Sequence, residues 1–303
     1  MNLRMLSFVR HRKALVMLCV ISVLLFSLCG CDGDRTKTYA KDNEALAALG
    51  EIHLIAREDG SGTRSAFAQL LGFDSAGESG ASDLTADCAE IAESTIDVIA
   101  AVADMENSIG YVSLASAAEN DDVKILSVDG YEAEESDYPL ERTFYLAYVG
   151  KLDELQEDFL RYVTGEGQSI VAESYEAISK SQTFLSSNPS GTLIIGGSTS
   201  VAPLIEKLAL CYMEINPNAE IVVKETDSTD GLTGAMNGTY DFGMSSRELE
   251  SYETELLEKT SIAVDKIAVI VHKENALESI STDVLRAMYT GNITLWQDVV
   301  TYE

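Results

Sequence analysis

The stretch Thr192-Leu-Ile-Ile-Gly196-Gly197-Ser198-Thr199-Ser200-Val-Ala-Pro203-Leu-Ile-Glu-Lys-Leu-Ala-Leu-Cys211-Tyr-Met-Glu-Ile215 decides the fold class. A short apolar run, Thr192 to Gly196, has the length and branching of a buried strand. Two glycines and three hydroxyl residues follow, and then apolar residues recur at helical spacing from Val201 to Ile215. Pro203 falls in the first turn, where a missing amide costs nothing. Strand, glycine turn and helix start together predict an α/β unit. Such a turn offers free backbone N–H groups and the positive end of a helix dipole to an anion. The same Ser and Thr residues could instead serve only as helix caps.

Working outward, the pattern repeats. Ile52–Ala56, Phe144–Val149, Glu220–Lys224 and Lys266–Val271 read as further strands. Asp87–Met105, Leu152–Val163 and Thr282–Tyr289 read as amphipathic helices. The fold class expected is α/β, with at least two sheets for 303 residues. The polar segment Ser186-Ser-Asn-Pro-Ser-Gly191 reads as a linker or surface turn.

Small-residue loops of one chemistry recur at the strand-to-helix steps. Arg57-Glu-Asp-Gly-Ser61-Gly62-Thr63-Arg64 puts a guanidinium before a glycine turn and two hydroxyls. Arg supplies a planar fork suited to oxyanions, and amides complete a cage. A structural ion pair for Arg57 is the competing reading. The loop lacks the spacing of a nucleotide P-loop or of a dinucleotide fingerprint. Asp227-Ser228-Thr-Asp-Gly231 and Tyr240-Asp-Phe-Gly-Met-Ser-Ser246-Arg247 add two more hydroxyl-bearing turns. Ligands of open α/β sheets gather at the carboxyl ends of strands.

The chain carries 50 acidic and 21 basic residues, net −29, which excludes a nucleic-acid partner. Four of the basic residues, Arg4, Arg10, Arg12 and Lys13, stand before an uncharged run from Ala14 to Leu28. That is the layout of a secretory signal, and fifteen apolar residues fall short of the roughly 20 of a membrane-spanning helix. Without residues 1–30 the net charge becomes −33, 17 basic against 50 acidic. Leu28-Cys-Gly-Cys31 resembles the bacterial lipoprotein box, which implies acylation of Cys31, and residues 31–43 read as a polar tether. Cys88 and Cys211 are expected to be small buried thiols in helical patterns. His53 and His272 sit in strand patterns, where a hydrogen-bonded core imidazole is expected. The acidic tracts Glu132–Asp137 and Glu248–Glu258 read as solvated faces. No catalytic residues, metal ligands or cofactor motif are read from the sequence.

At these residues the chain resembles the phosphate-binding protein of bacterial phosphate ABC transporters. The matching stretches are GGSTSVAPLIEKLA, DSTDGL, YDFGMSSRELE, VDKIAVIVHKEN and LRAMYTGNITLWQDV, together with IHLIAREDGSGTRSAF, NSIGYVSLAS, VKILSVDGY and YPLERTFYLAYV. Their order departs from the family's, in which the GSTS stretch comes first and REDGSGTR follows the GxITxW stretch. A circular permutation explains this, and a fusion of two half-copies that pairs by exchanging lobes is the alternative. Permutation requires residues 44–51 and 299–303 to be neighbours.

The resemblance implies a type II periplasmic-binding-protein fold, with two lobes closing on a ligand about a hinge. One lobe would hold residues 44–139 and 273–303, the other residues 140–272, with hinges near Tyr138-Pro139 and His272–Asn275. It also implies phosphate contacts by Arg57, Ser61, Gly62, Thr63, Thr199, Ser200, Ser228 and Ser246. Where some members hold an Asp that accepts the proton of hydrogen phosphate, this chain has Ser246. The expected function is a lipid-anchored, extracytoplasmic receptor at the cell membrane, a monomer that delivers phosphate to an ABC permease. A receptor for sulfate or molybdate, a phosphate sensor and a phosphoester hydrolase are the competing readings.

Overall fold

The computed structural model describes residues 38–74 and 83–302; Cys31 and the signal segment lie outside them. Nine strands form one continuous mixed sheet among the described residues. They are β1 (His53–Arg57), β2 (Glu90–Ala92), β3 (Ser108–Ser113), β4 (Val123–Ile125), β5 (Glu141–Tyr148), β6 (Gly191–Ser198), β7 (Ala219–Thr226), β8 (Phe242–Ser245) and β9 (Glu258–His272). The longer helices are α1 (Gly62–Leu71), α2 (Thr95–Asp104), α3 (Glu154–Thr164), α4 (Ala202–Ile215), α5 (Ser228–Met236) and α6 (Thr282–Tyr289). The sheet runs β2-β1-β3-β9-β5-β8-β6-β7, with β4 beside β9. Pairing is parallel within β2-β1-β3 and β8-β6-β7, and antiparallel wherever β9 or β5 takes part.

Tyr39–Ala40, Leu277–Ile280 and Ser127–Val128 form a second, three-stranded sheet, in line with the at least two sheets expected. Strand β9 joins the two halves of the larger sheet. It is 15 residues long, more than twice the apolar run that announced it. Its first half pairs with β5, Glu258 opposite Tyr148 through Lys266 opposite Glu141, and its second half pairs with β3 and β4. Alternation then decides the packing, because side chains of a strand point to opposite faces in turn. Ile267, Val269 and Val271 join Phe67, Tyr111 and Tyr289 on one face, while Ala268 and Ile270 join Ile55, Val98 and Val112 on the other. Residues before the switch, Ile262 and Ala263, belong to a separate core built on Phe159, Tyr212 and Phe242.

Tyr138 and Leu140 lie in the first core, and Phe144 and Leu146 of β5 in the second. Along β9 the membership changes between Ala263 and Ile267. Residues 38–43 are not simply tether: Tyr39–Ala40 pairs with Leu277–Ile280, and Asp42 caps the helix Asn43–Ala48.

The segment expected as one helix over Asp87–Met105 divides instead into a turn, the strand β2 and then α2. Cys88 falls in that turn and is exposed, not buried, and Cys211 is half-buried. His53 is also more open than a core histidine, its Nε2 lying 2.7 Å from Glu90 at 31% side-chain exposure. His272 Nδ1 accepts from the Glu274 amide at the end of β9. Glu253, expected on a solvated face, is fully buried against Arg247.

The two ends of the described chain meet. The Trp296 amide donates to Gly50 O and the Ile52 amide to Thr294 O, each at 2.9 Å, with Glu51 bridging Leu295.

Candidate functional site

Five strands drawn from the two parallel sets, β2-β1 of one and β8-β6-β7 of the other, end in the same region, and each is followed by a turn that carries short polar residues or glycine. Strand β1 leads to Gly60, Ser61 and Gly62, β2 to Ser94 and Thr95, β6 to Thr199 and Ser200, β7 to Asp227 and Ser228, and β8 to Ser246. The topology therefore stacks helix N-termini and hydroxyls together, as open parallel sheets do at their carboxyl edge.

The capping question has a different answer in each loop. Ser61 caps α1, its Oγ accepting from the Arg64 amide, and its bonds stay within its own loop. Asp227 caps α5 by accepting from the Asp230 amide at 2.8 Å. Thr199 and Ser200 cap nothing, since α4 begins at Ala202 with Val201 at its N-cap and has no side-chain cap. Their hydroxyls reach the loops that follow β1 and β2: Ser200 Oγ lies 2.9 Å from Thr63 Oγ1 and 3.2 Å from Thr95 Oγ1, and Thr199 Oγ1 lies 3.2 Å from Thr95 Oγ1.

Arg57 is buried at the centre. Its Nε and Nη2 grip the carboxylate of Glu58 at 2.7 and 2.6 Å, while Nη1 donates to Thr95 Oγ1 at 3.3 Å and Nη2 to Thr199 Oγ1 at 3.1 Å. The sequence reading of an ion pair and that of an anion anchor thus describe one side chain: one edge of the fork holds Glu58 and the other faces hydroxyls. Ser198 Oγ donates to Ser246 Oγ at 2.9 Å, and Ser246 Oγ lies 3.4 Å from Ser228 Oγ. Gly62 packs on this second group so closely that a Cβ would stand 2.2 Å from Ser228 Oγ and 2.6 Å from Ser246 Oγ.

Thr95 and Arg142 are not marked by the sequence, and Ser198, though part of its hydroxyl loop, is not among the expected contacts. Thr95 was hidden because β2 has three residues and merges into the helical pattern around it, although Glu93-Ser94-Thr95-Ile96-Asp97 carries a helix-start signature with Ser94 as its cap. Ser198 precedes the residues singled out in its own loop. Arg142 is a lone cation in the apolar strand β5, and its partner Asp265 is the buried acid of β9; opposite charges in neighbouring apolar strands were the available signal. Arg142 donates to Asp265 Oδ2 through Nε and Nη2 and to Thr63 Oγ1 through Nη1 at 2.6 Å.

Electrostatically the site is a set of donors around paired charges. Burial pulls the Arg142 guanidinium below its ordinary value while Asp265 opposes the change, and burial pushes the Asp265 carboxyl up. Burial also raises Asp227, at the mouth of the Gly60 turn. Arg64 of the same loop folds back, donating to Arg57 O and pairing with Asp83, so the loop is braced from behind. Hydroxyls, amides and guanidinium forks in a buried setting suit a small oxyanion, which needs many donors at once.

Residues 36–166 and 183–302 match the family model of the PBP superfamily domain. The chain belongs to the PBP superfamily. Its α/β architecture is that of a type II, two-lobed periplasmic binding protein. Within the superfamily it is 33% identical over 301 residues to phosphate-binding protein PstS 2 of Streptococcus agalactiae, covering 96% of this chain and 99% of that one. A crystal structure of the phosphate-binding protein of a phosphate ABC transporter from Streptococcus pneumoniae shares 37% identity and a TM-score of 0.66, covering 82% of this chain and all of that one. Phosphate-binding protein PstS of Bacillus subtilis is 33% identical over 113 residues, 36% of this chain and 38% of that one.

Proposed function

We propose that this chain is an extracytoplasmic receptor, held at the membrane by a lipid on Cys31, that binds inorganic phosphate between its two lobes and passes it to an ABC permease. The observation that carries this reading is the convergence of Arg57, Thr63, Thr95, Thr199, Ser200, Ser228 and Ser246 on one buried point, contributed by both lobes. Relatives over nearly the whole chain are named phosphate-binding proteins. Arg57 anchors the charge, the hydroxyls and the Gly62 amide complete the cage, and closure rather than turnover is the working event. The lobes comprise residues 44 to about 140 with about 267–303, and about 141–266.

We infer that the order of elements is that of a permuted binding protein. Close ends are the condition such a rearrangement needs, and the Gly50–Trp296 and Ile52–Thr294 bonds support this reading. A match to the Bacillus subtilis relative confined to 36% of this chain accords with permuted order, since a collinear alignment stops at the break.

A second anion class is favoured by one observation. At Ser246 the site presents a hydroxyl bonded to Ser198 and next to Ser228, not a carboxylate able to accept the proton of hydrogen phosphate. Discrimination against sulfate is therefore expected to be weaker than in a site with an acid there. Titration calorimetry of the purified protein with phosphate, then with sulfate and molybdate in competition, tests both readings. Saturable one-to-one phosphate binding supports the first; absence of heat and of thermal shift with phosphate from pH 5 to 8 removes it.

A further inference from the structure

Arg142 is positioned to govern a hydroxyl of the anion site. It lies in β5 with its guanidinium over the Phe144 ring at 5.1 Å, and its side chain is 3% exposed. Two of its nitrogens, Nε and Nη2, donate to Asp265 Oδ2 at 3.0 and 2.9 Å, and Ser113 Oγ donates to the other carboxylate oxygen at 2.8 Å. The remaining Nη1 donates to Thr63 Oγ1 at 2.6 Å. Three elements meet here: β5, the strand β9, which runs from one core to the other, and the first turn of α1, which carries Gly62 and Thr63.

Hydroxyl chemistry fixes what this contact does. A threonine hydroxyl has one proton and two lone pairs, and a guanidinium is a donor only. Arg142 must therefore occupy a lone pair of Thr63, leaving the Thr63 proton for Ser200 Oγ at 2.9 Å or for an oxyanion among these groups. Arg57 acts on Thr95 and Thr199 in the same sense.

We propose that Arg142 is a positioning residue for the bound oxyanion: clamped by Asp265 on the strands that join the lobes, it holds the Thr63 hydroxyl as a donor toward the ligand. The inference rests on the phosphate reading of the site and gives Arg142 no contact with the ligand itself.

A double-mutant cycle tests it, with inorganic phosphate as the probe and full-length protein in the calorimeter. Arg142→Gln is combined with Asp265→Asn so that no charge is buried without a partner. This pair and Thr63→Ala are each expected to weaken phosphate binding by about tenfold. Added to Thr63→Ala, the pair should cause no further loss, because an absent hydroxyl cannot be oriented. Losses that multiply to about a hundredfold, as independent sites would give, overturn the inference, and so does unchanged affinity in Arg142→Gln/Asp265→Asn. If that pair does not fold, Arg142→Lys, which keeps the charge and loses the two-nitrogen grip, enters the same cycle with the same expectations. Wild-type protein that binds no phosphate would overturn the phosphate reading along with this inference, a result distinct from binding with multiplicative losses.

Discussion

Thr229 donates twice to the carbonyl of Gly60, through its amide at 3.2 Å and its hydroxyl at 3.1 Å, across 169 residues of sequence. The first turn of α5 is thereby fastened to the loop after β1. Arg247 supports the fastening from behind: Nη2 donates to Thr229 Oγ1 at 3.2 Å while Nη1 and Nη2 hold the buried carboxylate of Glu253. Under the proposed function this is a lobe-to-lobe bond beside the anion site, and it would contribute to the closed arrangement and not to either lobe alone.

Thr229→Val removes the hydroxyl and keeps the amide bond. One such bond is worth about 0.5–1.5 kcal/mol. Phosphate affinity should fall by that amount, with the change in the dissociation rate, while the unliganded thermal midpoint moves little. Stopped-flow release of phosphate checks this; an unchanged release rate would show that the bond does not hold the lobes.

Gly62→Ala inserts a methyl group where Ser228 Oγ would lie 2.2 Å away. Gly62 needs no unusual backbone angle, so the cost falls on closure. Overpacking of this kind costs about 1–3 kcal/mol. Weaker phosphate binding and a larger liganded radius of gyration by small-angle scattering are expected. Wild-type affinity in this variant would mean that Gly62 does not face Ser228 and Ser246 in the bound state.

Acid should destabilise the fold through the carboxylates that it holds ionised, among them Glu253 and Asp83. Burial alone would raise Glu253, but the Arg247 fork wins and holds it below the ordinary carboxylate range; Asp83 is likewise buried and held down by Arg64 and Thr85. A group depressed in the fold stabilises it above the unfolded value, about 4, and that contribution is lost as pH falls through the folded value. Asp227 and Asp265, raised by burial, act with the opposite sign and favour the fold at low pH. Thermal midpoints between pH 7 and pH 3 read the balance for each group. In Glu253→Gln the midpoint at pH 7 should drop and its fall on acidification should shrink; an acid limb identical to wild type would contradict the role of Glu253.

The parts of this molecule legible in the sequence are those where one physical signal dominates. The α6 range, Thr282–Tyr289, follows from its apolar spacing and the Ser281 cap. Strand β6 and helix α4 follow from the apolar run, the glycines and Pro203. What escaped was set by partners distant in sequence. Glu258–Ser261 is polar and reads as the end of an acidic tract, yet pairing with β5 makes it the first part of β9. Strand β2 is three residues with two exposed side chains, too short to show a period. Glu253 looks solvated until Arg247 folds over it. In the site, residues inside glycine-rich turns were visible, whereas Arg142 was not, because only the β5–β9 pairing reveals that it meets Asp265 and Thr63.

Phosphate titration of wild type beside Arg57→Met reads out whether a buried guanidinium and the hydroxyls it orients bind phosphate. One-to-one binding is expected in the wild type. In the variant, loss of charge-assisted donors should cost about 3 kcal/mol, on the order of a hundredfold in affinity. Absence of phosphate binding in the wild type, or equal affinity in the two proteins, would contradict it.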